Sequence, residues 1–360
     1  MKILLVINDI SIGGGIERVV VNLANAFVEI GYEVDILSIY CKNQTLPYEI
    51  YPKVGLKYIY RFGEEVLKQK AKNSKFYKVY FKNFHKTYLS LVVGFKFRDY
   101  QVLIDNNWLS KPLFCSVPRY IKIIHYITPK FHTRNRSFDT LVLLTHSEAK
   151  RYLAYHKDVR IIPNFFPFIP HTCADLSQHR ILSVGRLIEG KGFLRLIEIW
   201  ALVQDSIKST HKDLSNWQLI IVGSGELQEV IESKIKALNL QDSVILKPFT
   251  KNIEAEYLNA SIYVMGSFSE GFGMVLLEAM FYGLPCVAFD IKTGPSDIIE
   301  DNKSGYLIED NHLGDFAQKL KNLMFNESLR EVMGKEAKKI ANEKFSKEKI
   351  MQQWVELLNP

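Results

Sequence analysis

Only four cysteines occur in 360 residues: Cys41, Cys115, Cys173 and Cys286, far apart and without CxxC spacing. That pattern excludes a disulfide framework and a zinc site, and buried free thiols are the expectation. No apolar run approaches the ~20 residues of a membrane span, and Asn8 and Asp9 interrupt the apolar opening before it reaches signal-peptide length. A cytoplasmic location is expected, with at most a peripheral place on the inner face of the membrane. No Asp-x-Asp triplet occurs, which removes a usual way of chelating a metal onto a diphosphate, so neither a metal site nor a cofactor is expected. The dinucleotide fingerprint GxGxxG is also missing, because Arg18 and Gln228 stand where it needs glycine. Asp35 does sit about where a ribose-binding acid would, which leaves a dinucleotide-dependent enzyme as a minor alternative. Internal repeats and low-complexity segments are absent as well.

The chain does have ample apolar material. Hydrophobic residues make up 47% and charged residues 24%, as in folded globular proteins. At roughly 100–200 residues per domain, the length suits two α/β domains with a cleft between them. Lys2 to Ile7 is a short apolar run closed by turn residues, Ile16 to Ile30 has helical spacing and stops at Gly31, and Glu33 to Tyr40 forms a second apolar run. This order of strand, glycine-rich loop, helix and strand predicts a Rossmann-like start. Further strands are predicted at Val102–Ile104, Tyr120–His125, Leu141–Thr145 and Val159–Ile162. Pro163, Pro167 and Pro170, with Phe165, Phe166 and Phe168 among them, suit neither a helix nor a central strand and read as an interdomain crossover. The pattern then restarts, with strands at Arg180–Val184, Gln218–Val222, Val244–Leu246, Ser261–Met265 and Pro285–Phe289. The expected architecture is one Rossmann-like domain over 1–165 and a second over 175–345. Glu331 to Leu358 reads as helix, and a break near Phe345-Ser346 would let 346–360 return to the first domain.

Ligands of open α/β sheets bind at the carboxyl ends of the strands, so the loops after strands carry the candidate chemistry. The most specific is Ser267-Phe268-Ser269-Glu270-Gly271-Phe272-Gly273-Met274-Val275-Leu276-Leu277-Glu278. A helix opening there would present unsatisfied amides near Gly273 to Val275, a site for a phosphate. At 1.5 Å rise per residue the two glutamates would stand on the order of 10 Å apart, about the span of a sugar–diphosphate–ribose segment. Glu270 would then accept from sugar hydroxyls and Glu278 from the ribose diol. Two solvated carboxylates are the bland alternative, and the apolar surroundings of Glu278 weaken it. The loop Gly185-Arg186-Leu187-Ile188-Glu189-Gly190-Lys191-Gly192 offers a guanidinium and an ammonium able to neutralise a diphosphate leaving group. Val222-Gly223-Ser224-Gly225-Glu226 suits a nucleotide-side turn or merely a tight turn, and the glycines of Gly13-Gly14-Gly15, before Glu17 and Arg18, would allow close ligand approach. His125, in Ile124-His125-Tyr126-Ile127-Thr128-Pro129, would face the cleft from a strand end if it is not simply structural. His132, His146 and His156 have no metal-ligand spacing.

Together these segments resemble the family-four, GT-B-fold retaining glycosyltransferases over most of the chain. The motifs stand in that family's order: the glycine loop with Glu17-Arg18, Arg160-Ile161-Ile162-Pro163-Asn164, Gly185-Arg186 with Lys191-Gly192, Gly223-Ser224-Gly225-Glu226, and Glu270 with Glu278. Gly294-Pro295-Ser296-Asp297-Ile298-Ile299 and Asn302 to Leu307 resemble its closing segment. The resemblance implies an α/β GT-B fold of two facing Rossmann-like domains and transfer of one sugar from a nucleotide sugar, a UDP-sugar on family grounds, without metal. The acceptor would be a glycan or polyprenyl-diphosphate-linked chain in surface polysaccharide, capsule or lipopolysaccharide synthesis. The implied catalytic set is Glu270, His125, Arg186 and Lys191. The implied donor-binding set is Gly14, Gly15, Arg186, Lys191, Gly223, Gly225, Pro248, Glu270, Gly271, Phe272, Gly273, Met274, Val275 and Glu278. Tyr126 departs from the family's usual acidic or amide residue after the histidine. The rival reading from another enzyme class is a nucleotide-sugar epimerase of the same two-domain fold.

The net charge of +7 is modest, and no nucleic-acid partner is expected. Much of the charge is local, with seven lysines between Lys68 and Lys86 interleaved with Phe76, Tyr77, Tyr80, Phe81, Phe84 and Tyr88. At 100° per residue, Lys75, Lys78, Lys82 and Lys86 gather on one side of a helix and the aromatics on the other. Two readings follow for Lys75–Tyr88: a domain helix with its aromatic face in the core, or a surface that docks on anionic lipid.

Overall fold

The computed structural model describes residues 1–106, 117–126, 128, 130–210 and 216–359. Cys115, Ile127 and Pro129 lie outside these described residues. The chain forms two compact units, Met1–Pro163 joined by Met351–Pro360, and Asn164–Ile350. The first boundary falls two residues before the expected 165, so Phe165 and Phe166 belong to the second unit.

In the first unit the strands are β1 (Lys2–Asp9), β2 (Glu33–Tyr40), β3 (Gly55–Tyr58), β4 (Val102–Asp105), β5 (Arg119–Ile124), β6 (Thr140–Leu143) and β7 (Val159–Ile161). They form one sheet in the order β3-β2-β1-β4-β5-β6-β7, with every pairing parallel. In the second unit β8 (Arg180–Val184), β9 (Gln218–Val222), β10 (Val244–Lys247), β11 (Ile262–Met265), β12 (Cys286–Asp290) and β13 (Gly305–Glu309) form a second parallel sheet, ordered β10-β9-β8-β11-β12-β13. Strands covered on both faces read as unbroken apolar runs, as in Ile3 to Ile7 of β1 and Leu219 to Val222 of β9. Both sheets are doubly wound about their first strand. Each therefore has a switch point, β1/β4 and β8/β11, where flanking loops diverge and leave a crevice.

The second core centres on Trp200 and Trp217, packed among Leu196, Ile197, Leu219 and Phe316. Helix Met274–Phe281 is apolar nearly all round because it runs through this unit's interior. Phe166, from the proline-rich crossover, packs on Phe281 at 5.3 Å between ring centroids. The C-terminal stretch breaks where the sequence suggests: one helix spans Glu327–Phe345, the next Lys347–Leu358, and Ser346 between them is extended. Within the first unit Trp354 meets Phe27 edge to face, and the Asn359 side chain donates to Tyr32.

Several expectations are corrected. Cys286 is buried, but Cys173 is exposed and Cys41 half-buried. Lys75–Tyr88 is not one regular helix: Lys75–Val79 is α-helical, Tyr80–Phe84 forms a π-turn, and the α-helix resumes at His85. The wider turn shifts the angular register, so the wheel's single aromatic face does not form. Phe81 stacks on the buried His85, whereas Phe76 is 76% exposed and Tyr77, Phe84 and Tyr88 also face solvent.

Arg330 ties the end of helix Leu313–Phe325 to the turn at Leu176. Its buried guanidinium donates to the carbonyls of Leu176, Leu323 and Met324 at 2.8–3.1 Å. A buried acceptor that loses its donor costs about 1–3 kcal/mol. Arg330→Met should therefore lower the stability of the chain by about 3 kcal/mol in urea unfolding followed by tryptophan fluorescence. A loss below about 1 kcal/mol would show that water replaces the guanidinium.

Candidate active site

The loops after β8, β9 and β11 touch backbone to backbone. Gly192 has φ +63°, and a Cβ there would fall 1.8 Å from the Gly266 carbonyl oxygen. A Cβ on Gly223 would come within 1.9 Å of the Gly185 carbonyl oxygen. Hydrogen bonds lock these approaches: Phe268 N–H donates to Gly190 O at 2.9 Å, and Leu187 N–H to Ser224 O at 3.0 Å. Glycine is needed because a side chain would force the loops apart.

This packing brings Lys191 to Glu270. The ammonium reaches both carboxylate oxygens, at 2.7 and 2.8 Å, and the Ser267 hydroxyl donates to Oε1 at 2.6 Å. Thr293 Oγ1, from the loop after β12, donates to the Glu270 carbonyl. Glu270 is buried, and Lys191 is partly exposed. Gly271 follows at the rim, Phe272 is buried against Phe345, and Gly273 caps helix Met274–Phe281 without a side-chain bond to its first amides. The half-buried Met274 and Val275 open that helix, so its unsatisfied N–H groups lie four residues from Glu270 in the chain. Glu278 is buried in the second turn and accepts from Tyr257 Oη at 3.1 Å. Tyr257 stacks on Tyr282, with centroids 5.2 Å apart and planes 6° apart. Arg186 is exposed and makes no side-chain hydrogen bond or ion pair among the described residues. Pro248 and Phe249 are exposed at the end of β10, where Phe249 N–H donates to Ser224 Oγ.

Of the expected residues, Glu270, Lys191 and the Gly273–Val275 helix start are gathered at the β8/β11 switch point. Lys191 is spoken for by Glu270, an ion pair that sequence reading did not anticipate. Ser267 and Tyr257, which hold the two carboxylates, were also missed. Ser267 lies within the conspicuous motif, but Tyr257 stands 21 residues before its partner, with no signal to link them.

In the first unit, Gly14 caps helix Gly15–Glu29 in extended conformation, and its carbonyl accepts from Tyr48 Oη. Glu17 lies in that helix's first turn, where the dipole favours it. His125 follows β5 and is buried, with Nε2 3.0 Å from Asn106 Oδ1, the residue after β4. The buried ion pair Lys122–Asp105 sits beside it on the same two strands. Burial first, and Lys122 second, push the His125 imidazole down to about 3, so it is neutral at physiological pH.

The chain matches the family described as glycosyl transferases group 1 over residues 173–340, which contain Arg186, Lys191, Glu270 and Glu278. It is 30% identical, over 99% of both chains, to the amylovoran biosynthesis glycosyltransferase AmsD of Erwinia amylovora. This chain belongs to the group 1 glycosyltransferases. It is also 24% identical, over 99% of this chain and 98% of the relative, to a Campylobacter jejuni N-acetylgalactosaminyltransferase named for an undecaprenol-diphosphate-linked acceptor. Among solved structures, TarM of Staphylococcus aureus, crystallised with UDP and α-GlcNAc-glycerol, superposes with TM-score 0.77 over 100% of both chains at 18% identity. That likeness shows the GT-B fold. The chain is thus a glycosyltransferase of two Rossmann-like α/β domains, and its relatives work in polysaccharide synthesis. Nothing in these comparisons supports the epimerase reading.

Because the folded-state pKa of His125 lies below its unfolded value near 6.5, the folded chain binds fewer protons than the unfolded one. This histidine therefore costs nothing above pH ~6.5 and destabilises increasingly as pH falls from there toward 3. His125→Gln should make the fall in urea midpoint between pH 6.5 and 4 shallower than in the wild type. Equal slopes would show that the imidazole protonates freely in the fold.

Proposed function

We propose that the chain is a family-four, retaining glycosyltransferase that moves one sugar from a UDP-sugar onto a glycan or polyprenyl-diphosphate-linked acceptor. The observation that carries this reading is Glu270, buried yet paired to a partly exposed lysine, beside a helix N-terminus at a sheet switch point. In this reading the helix amides at Gly273 to Val275 and the exposed Arg186 receive the diphosphate. Lys191 leaves Glu270 for the phosphate, and Glu270, freed of its cation, accepts from sugar hydroxyls. Glu278 keeps its Tyr257 bond and uses its remaining lone pairs for the ribose diol. Gly223, Gly225 and Pro248 line the nucleoside side. In the first unit, the glycine loop at Gly14 and Gly15 and the neutral His125 remain the candidate ligand-facing groups.

In the reaction the bond between the anomeric carbon and the diphosphate oxygen breaks, with its electron pair passing to the diphosphate. The acceptor oxygen bonds to the same face of the anomeric carbon, and its proton passes to the departing phosphate oxygen. Fixed positive charge stabilises the leaving group, so no metal and no other cofactor is required. Isolation of a covalent glycosyl-enzyme would overturn this course. The undecaprenol-diphosphate acceptor in the name of the Campylobacter jejuni relative supports the acceptor class, and the UDP bound in the TarM crystals supports the nucleotide class.

Glu270→Ala should lower kcat/KM by about 100-fold, measured as UDP release with the best of a panel of UDP-sugars, and wild-type transfer should keep its rate in excess EDTA. Full transfer by that variant would sink the site assignment.

A peripheral place on anionic membrane belongs to the same proposal. No helix among the described residues is long and apolar enough to cross a membrane. The Lys75–Tyr88 segment instead presents Lys75, Lys78, Lys82 and Lys86 together with exposed Phe76, Tyr77, Phe84 and Tyr88. Aromatic rings at the headgroup level and lysines over anionic lipid form a compatible pair. The wild-type chain should float with phosphatidylglycerol vesicles, and a variant with those four lysines changed to serine should not. Equal flotation of the two would remove the membrane from the proposal.

A further inference from the structure

Arg195 lies in the first turn of helix Phe193–Thr210, outside every motif named above, and is 5% exposed. Its guanidinium makes four hydrogen bonds, at least one from each nitrogen. Nε donates to the Gly266 carbonyl, Nη2 to the Ser267 carbonyl, and Nη1 to Asp310 Oδ1 at 2.7 Å and Asn311 Oδ1 at 3.3 Å. The rings of Phe268 and Phe289 lie on either side, each with its centroid 3.9 Å from Cζ.

Gly266 and Ser267 are the first residues after β11, and three residues further on stands Glu270. The two carbonyls that Arg195 holds fix the peptide planes on both sides of Ser267. Those planes determine where the Ser267 hydroxyl points, and it points at Glu270 Oε1, 2.6 Å away. Phe268, the next residue, is clamped twice, by its amide bond to Gly190 O and by its ring on the guanidinium. Only a planar group with several divergent donors can bond two successive carbonyls and a carboxylate while stacked between two rings. Lysine, with one tetrahedral ammonium, cannot reproduce that set.

We propose that Arg195 is the positioning residue of the donor site, holding the loop after β11 so that Ser267 presents the Glu270 carboxylate in one orientation. It touches neither donor nor acceptor and acts through Gly266 and Ser267. This inference rests on the donor-site reading for its catalytic consequence, but the mechanical part stands apart from it.

The test pairs a ligand-free readout with a kinetic one on the full chain. Amide hydrogen exchange of wild type, Arg195→Lys and Ser267→Ala is followed in peptides covering 266–272 and, as an internal control, in β12. Arg195→Lys should speed exchange at 266–272 by tenfold or more and leave β12 unchanged. Unchanged exchange at 266–272, or a rise of the same size in β12, overturns the proposal in favour of a merely structural arginine. In the kinetic arm UDP release is compared for Arg195→Lys, Glu270→Gln and the double variant. Arg195→Lys alone should reduce kcat/KM tenfold or more, and should cost less than a further twofold in the Glu270→Gln background. A full tenfold loss in both backgrounds shows that Arg195 does not work through Glu270. If Glu270→Gln transfers as well as wild type, the donor-site reading fails, while the exchange result still decides the role of Arg195.

Discussion

The contact on which this structure turns is the bidentate pairing of Lys191 with Glu270. A carboxylate removed from water is costly unless a cation and hydrogen bonds replace its hydration. Glu270 has both, from Lys191 and Ser267. The pair exists because two loops that leave adjacent strands, β8 and β11, come close enough for the Gly192 and Gly266 backbones to touch. Every feature of the site follows from that approach. The left-handed turn at Gly192 ends the first loop, the Gly190 carbonyl receives the Phe268 amide, and the second loop is aimed toward the helix that carries Glu278.

The two glutamates are held in physically different ways. Glu270 has a partner on a long, partly exposed side chain, which can leave once another anion offers itself. Glu278 has a phenol set in a stack of rings, Tyr257 on Tyr282 and Tyr282 against Phe166. One carboxylate is thus poised for an exchange of partners, the other fixed in place. Glu278 therefore keeps its place whether or not Glu270 changes its partner.

The doubly wound character of both units was legible because strands buried on both faces write themselves as apolar runs, as in β1, β8 and β9. Two strands escaped. Gly55–Tyr58 is a half-buried edge strand without such a run, and Gly305–Glu309 opens on a glycine and alternates in burial. The wheel drawn over Lys75–Tyr88 assumed a constant angle per residue, and the π-turn at Tyr80–Phe84 broke that assumption. In the site, residues clustered in one motif could be read together. Arg195 and Tyr257 could not, because their meaning lies in partners reached only through the fold: Asp310 is 115 residues from Arg195, and Glu278 is 21 from Tyr257.

The chain leaves the first unit at Pro163 and re-enters it at Met351, so the second unit is in effect an insertion within the first. A ribosome therefore finishes the second unit while the first still lacks its closing segment. Until Trp354 arrives, Phe27 on helix Gly15–Glu29 has lost an apolar neighbour. The first-made half of the molecule is the last to be completed. The face of Phe27 that Trp354 covers therefore stays uncovered through synthesis of the second unit.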